Sequence, residues 1–170
     1  MSAEKEPRFP APGSRLPVLT LERDHLDEEA LRALAARAAG FLVPGDVVVL
    51  RGDVGAGKTT FVRAAARALN VREVVTSPTY QFVRSYEGSV NGRVVAVNHL
   101  DLYRLEGLDA RDALDLDEYL DASSVTFVEW AEPALELIEE PSVVEIFYRS
   151  PTRRRVRISG PVAARLSAAC

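Results

Sequence analysis

The sequence predicts one α/β domain with a mixed sheet: a parallel core, added antiparallel hairpins, and helices on both faces. Three observations carry this. Val47-Val48-Val49-Leu50 is an unbroken β-branched run, suited to a strand buried on both faces, and a glycine-rich loop and an amphipathic helix follow it directly. Val125-Thr126-Phe127-Val128 is a second compact strand that stops at a carboxylate, Glu129. Asn91-Gly92 lies between two β-favouring stretches and signals a hairpin.

Taken in order, residues 1–15 are polar and proline-rich and read as a disordered tail, with no apolar stretch of a secretory signal. The domain proper is expected over residues 16–160, and residues 161–170 as a short C-terminal tail. Leu16 to Leu21 suits a first strand. Leu31, Leu34, Ala35, Ala38 and Leu42 share one helical face, with Asp27 as N-cap. Pro44-Gly45-Asp46 turns the chain into the Val47–Leu50 strand. An alanine-rich helix follows over about Lys58 to Leu69. Gln81–Tyr86 and Arg93–Asn98 form the hairpin around Glu87 to Gly92, and Gly107 to Leu120 predicts one or two short helices. A short helix starts at Pro133, and Val143–Arg149 pairs with Arg153–Ser159 around Ser150-Pro151-Thr152. With 170 residues, 47% apolar and 27% charged, the chain has the composition of one soluble globular domain. Its one cysteine, Cys170, rules out an internal disulfide and points to the cytoplasm. The formal net charge of −4 means that nucleic acid is not attracted to the molecule as a whole.

Gly52-Asp53-Val54-Gly55-Ala56-Gly57-Lys58-Thr59 fits the Walker A pattern G-x-x-x-x-G-K-[ST]. The residue types follow from the task of holding a nucleoside triphosphate such as ATP. Successive backbone N–H groups must face one concavity, so glycines are needed where side chains would block close approach. The helix beginning at Lys58 adds its free amides and dipole. Lys58 would bridge the β- and γ-phosphates, and Thr59 would place its hydroxyl on Mg²⁺. Such a site needs an acid at the end of a neighbouring strand, and two residues qualify, Glu129 and Asp101.

Other residues stay open on sequence grounds. Ser77-Pro78-Thr79 reads first as a plain connecting loop, and Trp130, the single tryptophan, as a core residue. His99 could serve as a base, but its default is a structural histidine at a strand end, with His25 its one companion. Arg153, Arg155 and Arg157 alternate onto one face, and Arg154, Val156 and Ile158 onto the other. The first face suits tRNA phosphates, a nucleotide phosphate or an acidic partner, or it guards an edge strand.

Four segments carry a resemblance: Gly52 to Phe61, Thr76 to Tyr80, His99-Leu100-Asp101-Leu102-Tyr103-Arg104-Leu105, and Val128-Glu129-Trp130-Ala131-Glu132. In this order and at these spacings the chain resembles the TsaE (YjeE) family over roughly Leu16 to Ser159. These are bacterial ATPases of the pathway that makes N6-threonylcarbamoyladenosine at position 37 of ANN-decoding tRNAs. The resemblance implies a compact P-loop domain using ATP and Mg²⁺. Lys58 and Thr59 keep the roles above, Glu129 matches the magnesium-site carboxylate, and Asp101 matches the aspartate beside the γ-phosphate needed for hydrolysis. Ser77-Pro78-Thr79 matches a switch-like loop and Trp130 a tryptophan near the nucleotide. Arg153 is the nearest match to a basic residue close to it. The ATP-binding set is then Gly52, Gly55, Ala56, Gly57, Lys58, Thr59, Thr60, Trp130 and Arg153. The implied partners are TsaB and TsaD, reaching tRNA indirectly. The ATP cycle would reset that pair, while the threonylcarbamoyl transfer is theirs.

Two other classes fit a Walker loop. A small-molecule kinase would carry an arginine-bearing lid, and Gly107 to Leu120 is acidic instead. A nucleotide-gated binding module would bind partners with negligible hydrolysis.

Overall fold

The structure is a computed structural model that describes residues 19–78, 80–105, 107 and 115–169. The tail over 1–15, the start of the first strand, Thr79, most of the Gly107–Leu114 stretch and Cys170 lie outside the described residues.

Seven strands form one sheet in the order β1-β7-β6-β2-β5-β4-β3. The centre is parallel: β2 (Val47–Arg51) pairs with β5 (Ser124–Glu129) and with β6 (Ser142–Ser150), and β5 pairs with β4 (Arg93–Asp101). Antiparallel strands close both sides, β3 (Val83–Val90) on β4, and β7 (Arg153–Ser159) with β1 (Thr20–Leu26) beyond β6.

The period of two along the strands decides what each face does. Val48, Leu50, Val97, Val125, Phe127, Val144, Ile146, Val156 and Ile158 face α1 (Glu28–Ala39) and α2 (Lys58–Ala68). Val47, Val49, Leu100 and Val128 take the opposite face. There they pack with the 3₁₀ turns Tyr103–Leu105 and Glu132–Leu137 and the short helix α3 (Leu116–Tyr119). Helices therefore cover both faces.

Asp27 caps α1 as its sequence requires, with Oδ1 accepting from Ala30 N at 2.9 Å. Phe61 of α2 is 1% exposed in the larger core, among alanines that cannot fill its volume. Phe61→Ala should destabilise the domain by about 3–5 kcal/mol, read as a lowered denaturant midpoint with an unchanged m-value.

Three boundaries differ from the expectations above. The first strand runs on to Leu26 rather than ending at Leu21, so it includes the charged stretch Glu22-Arg23-Asp24-His25. An edge strand tolerates such residues because Leu21 and Leu26 still reach the core while Glu22 pairs with Arg157 across the ladder. A register shift between Arg23 and Leu26, with His25 at φ 56°, lets the strand bend there. The hairpin strands are longer than expected, because its turn is only Asn91-Gly92 (φ 49° and 77°), which lets Val90 pair directly with Arg93. Residues 161–168, expected within a tail, form α4 (Pro161–Ala168). Val162, Ala163 and Leu166 join the larger core, and Arg165 Nη2 bonds Asp46 Oδ1 at 3.1 Å. Eight residues were too short a stretch to show helical periodicity against a strand-rich neighbour.

Among the described residues no helix is long and apolar enough to cross a membrane.

Candidate functional site

The site sits at the carboxyl ends of β2, β5 and β4, against the start of α2. The chain leaves β2 through Gly52 (φ 146°), Gly55 (φ 78°) and Gly57 (φ 117°), backbone values that exclude most side chains. At Gly52 a Cβ would also lie 2.5 Å from Ile146 O. Gly57 caps α2 with no side-chain acceptor, so the first amides of that helix are left for an external anion.

The same strand parity that builds the core aims the acids. In β5, Val125 and Phe127 face α2, so Glu129 does too; in β4, Val97 faces α2, and so do His99 and Asp101. Asp101 and Glu129 are register partners. Thr59, on the first turn of α2, donates its hydroxyl to Glu129 Oε1 at 3.0 Å. His99 Nε2 meets the same oxygen at 2.8 Å. Glu129 is 4% exposed, so its buried carboxyl oxygen depends on the two groups that bond it. A hydroxyl and carboxylates are hard oxygen donors, the set that suits Mg²⁺ when phosphates supply the remaining ligands.

Lys58 is also buried. Its Nζ donates to Gly52 O at 2.6 Å and Asp53 O at 3.0 Å, and lies 4.6 Å from the centre of the Trp130 ring. Burial pushes its ammonium below the usual lysine range, while Glu129, then Asp101, Asp53 and Glu132, pull it back up. Trp130 has φ 55°, an unusual conformation for a bulky residue, and meets Tyr103 edge-on at 5.0 Å between centroids.

Asp101 ties two loops to the site. Its Oδ2 accepts from Ser77 Oγ at 3.2 Å and its Oδ1 from Tyr103 N at 3.1 Å. Pro78 is buried beside Ser77, whereas Tyr80 stands out in solvent under the Arg104 guanidinium, 4.9 Å above its ring. Ala56 is buried within the loop, and Thr60 follows on the first turn of α2, half-buried.

Arg153 is not brought to this cluster; its Nη1 donates instead to Asp27 Oδ2 at 2.9 Å. Arg154 takes that place: Nε donates to Ala56 O at 2.8 Å and Nη2 to Gly55 O at 3.4 Å. The signal was present, since alternation put Arg154 on the side of Val156 and Ile158, which is the core face. Arg155 and Arg157 lie over the Phe147 ring and pair with Glu22, so that face is substantially neutralised.

Comparison with known proteins bears on the whole of this region. A family model described as "Threonylcarbamoyl adenosine biosynthesis protein TsaE" matches residues 25–157. This chain belongs to the TsaE family. The TsaE match runs from the end of β1 through the loop, the strand-end acids and most of β7. The chain is 42% identical over 115 residues to a tRNA threonylcarbamoyladenosine biosynthesis protein TsaE of Bacillus subtilis, covering 68% of this chain and 66% of that protein. It is 43% identical over 111 residues to the Streptomyces coelicolor TsaE, covering 65% and 73%. The alignment thus spans just under two thirds of the B. subtilis relative. A crystal structure of Bacillus subtilis YdiB superposes with a TM-score of 0.70 at 29% identity, over 91% of this chain and 98% of that one.

Proposed function

We propose that this chain is a Mg²⁺-dependent ATPase of tRNA N6-threonylcarbamoyladenosine formation, acting in the cytoplasm and cycling a TsaB–TsaD complex between turnovers. The observation that carries this reading is the convergence on one phosphate cradle of Lys58, the Thr59–Glu129 pair and Asp101, in a chain of the TsaE family.

The residues divide the work. Amides of the Gly52–Thr59 loop and the start of α2 hold the phosphates. Lys58 leaves the Gly52 and Asp53 carbonyls for the β- and γ-phosphates, exchanging two backbone acceptors for stronger anionic ones. Thr59 and Glu129 would hold Mg²⁺, which when bound would supply charge neutralisation on the phosphates. Asp101 stands at the γ-phosphate end, where it aligns the attacking water and passes the phosphate's presence to Ser77. Trp130 lines the pocket beside Lys58. Arg154, rather than Arg153, stiffens the loop from below by holding the Gly55 and Ala56 carbonyls.

The triphosphate would order the Ser77 and Asp101 segments into a surface that TsaB and TsaD bind, and hydrolysis would loosen it. The threonylcarbamoyl transfer stays with the partners, and tRNA is met through them. ATP turnover measured with and without purified TsaB and TsaD tests the coupling. A rate that rises in their presence is expected, and an unchanged rate contradicts it.

A further inference from the structure

His99 is 1% exposed, and its one hydrogen bond among the described residues goes to Glu129 Oε1, at 2.8 Å from Nε2. Its Nδ1 is buried with no partner. Here the whole polar capacity that His99 uses is spent on one carboxylate oxygen. An ionised carboxylate only accepts, so the pairing tautomer carries its proton on Nε2.

The geometry points to His99 as the positioning residue of the metal site: its Nε2–H and the Thr59 hydroxyl clamp Oε1 of Glu129 and so fix the orientation of the carboxylate that would hold the cation. This rests on the reading of Glu129 as the metal-side carboxylate. Three features support it. Both hydrogen bonds end on the same oxygen, from opposite elements, β4 and α2. The ring is fixed by burial beneath the site, on the face that β4 turns to α2. His99 and Asp101 share one face of β4, two residues apart, so the strand that carries Asp101 also carries the group that bonds Glu129. Groups that orient a metal's ligands characteristically carry a 10- to 100-fold effect on metal affinity or activity.

The test compares His99→Leu, which cannot donate, His99→Asn, whose amide is too short to reach Glu129, and His99→Gln, whose Nε2 reaches about as far as the imidazole Nε2. Glu129→Gln is measured beside them. For each purified full-length variant, Mg²⁺ is titrated into ADP-loaded protein by calorimetry, and metal-free ADP affinity is read from the fluorescence of Trp130. His99→Leu and His99→Asn should weaken Mg²⁺ binding about tenfold or more while leaving metal-free ADP affinity unchanged, and His99→Gln should stay within about threefold of the parent. Unchanged Mg²⁺ affinity in His99→Asn overturns the inference, as does a His99→Gln protein as impaired as His99→Asn. The asparagine variant serves where leucine fails to fold. If Glu129→Gln is defective while the His99 variants bind normally, the inference alone fails. If Glu129→Gln also binds Mg²⁺ normally, the metal-site reading fails and this inference with it.

Discussion

Lys58→Ala leaves a folded protein whose ATP turnover falls by about 10²–10³-fold, the scale seen when one preorganised group facing transition-state charge is removed. The fold should survive because the lysine contributes little that packing needs. Its Nζ bonds only the Gly52 and Asp53 carbonyls and stacks on Trp130, and burial already disfavours its charged form. What the variant loses is the cation set among Glu129, Asp101, Asp53 and Glu132, leaving an acidic cluster that repels a triphosphate. Lys58→Arg should not restore turnover, because a site that leaves lysine 5% exposed has no room for a planar guanidinium. Phosphate release assayed alongside far-UV circular dichroism checks both halves. Undiminished turnover in a folded Lys58→Ala protein would remove the phosphate-cradle assignment.

Asp101→Asn should separate charge from geometry. Asparagine keeps a carbonyl oxygen for Tyr103 N and can still bond the Ser77 hydroxyl, so both loops remain attached. Only the negative charge goes. If Asp101 aligns and activates water, kcat should fall by about 10²–10⁴-fold while the KM for ATP changes little, the pattern of a group acting only in the transition state. Ser77→Ala should be milder, since it removes one fastening and no charge. An Asp101→Asn enzyme with normal kcat would reduce Asp101 to a loop fastener, and would shift weight to Glu129.

The loop and the parallel core were legible because their signals are local. A β-branched run, a six-residue loop and an amphipathic helix must be adjacent to work, and Val47 to Leu69 are adjacent. The placement of Glu129 and Asp101 at neighbouring strand ends was legible for a related reason, since both close a β-favouring run. Arg154 was harder. Alternation divided the β7 arginines correctly, but which face meets the loop depends on the order β7-β6-β2, set by pairings far apart in sequence. His99 was undervalued for the same cause. Its partner lies thirty residues away on β5, and a lone histidine shows no partner until two strands are in register. The edge strand β1 was misjudged because its charged residues satisfy only one neighbour, where burial patterns are weak. α4 was missed because its apolar face is only Val162, Ala163 and Leu166.

The Ser77–Asp101 contact makes the central claim concrete: under the proposed function, a γ-phosphate beside Asp101 would be felt by a segment whose neighbour, Tyr80, is 83% exposed. Tyr103 and Val54 stand out in solvent around the same rim. Such a rim could change its fit to a partner when the phosphate arrives or leaves. Co-purification of this protein with TsaB and TsaD in the presence of ATP, of ADP and of neither tests this most directly. The account predicts retention that differs between the ATP and ADP conditions and loses that difference in Asp101→Asn. Equal retention under all three conditions would contradict it.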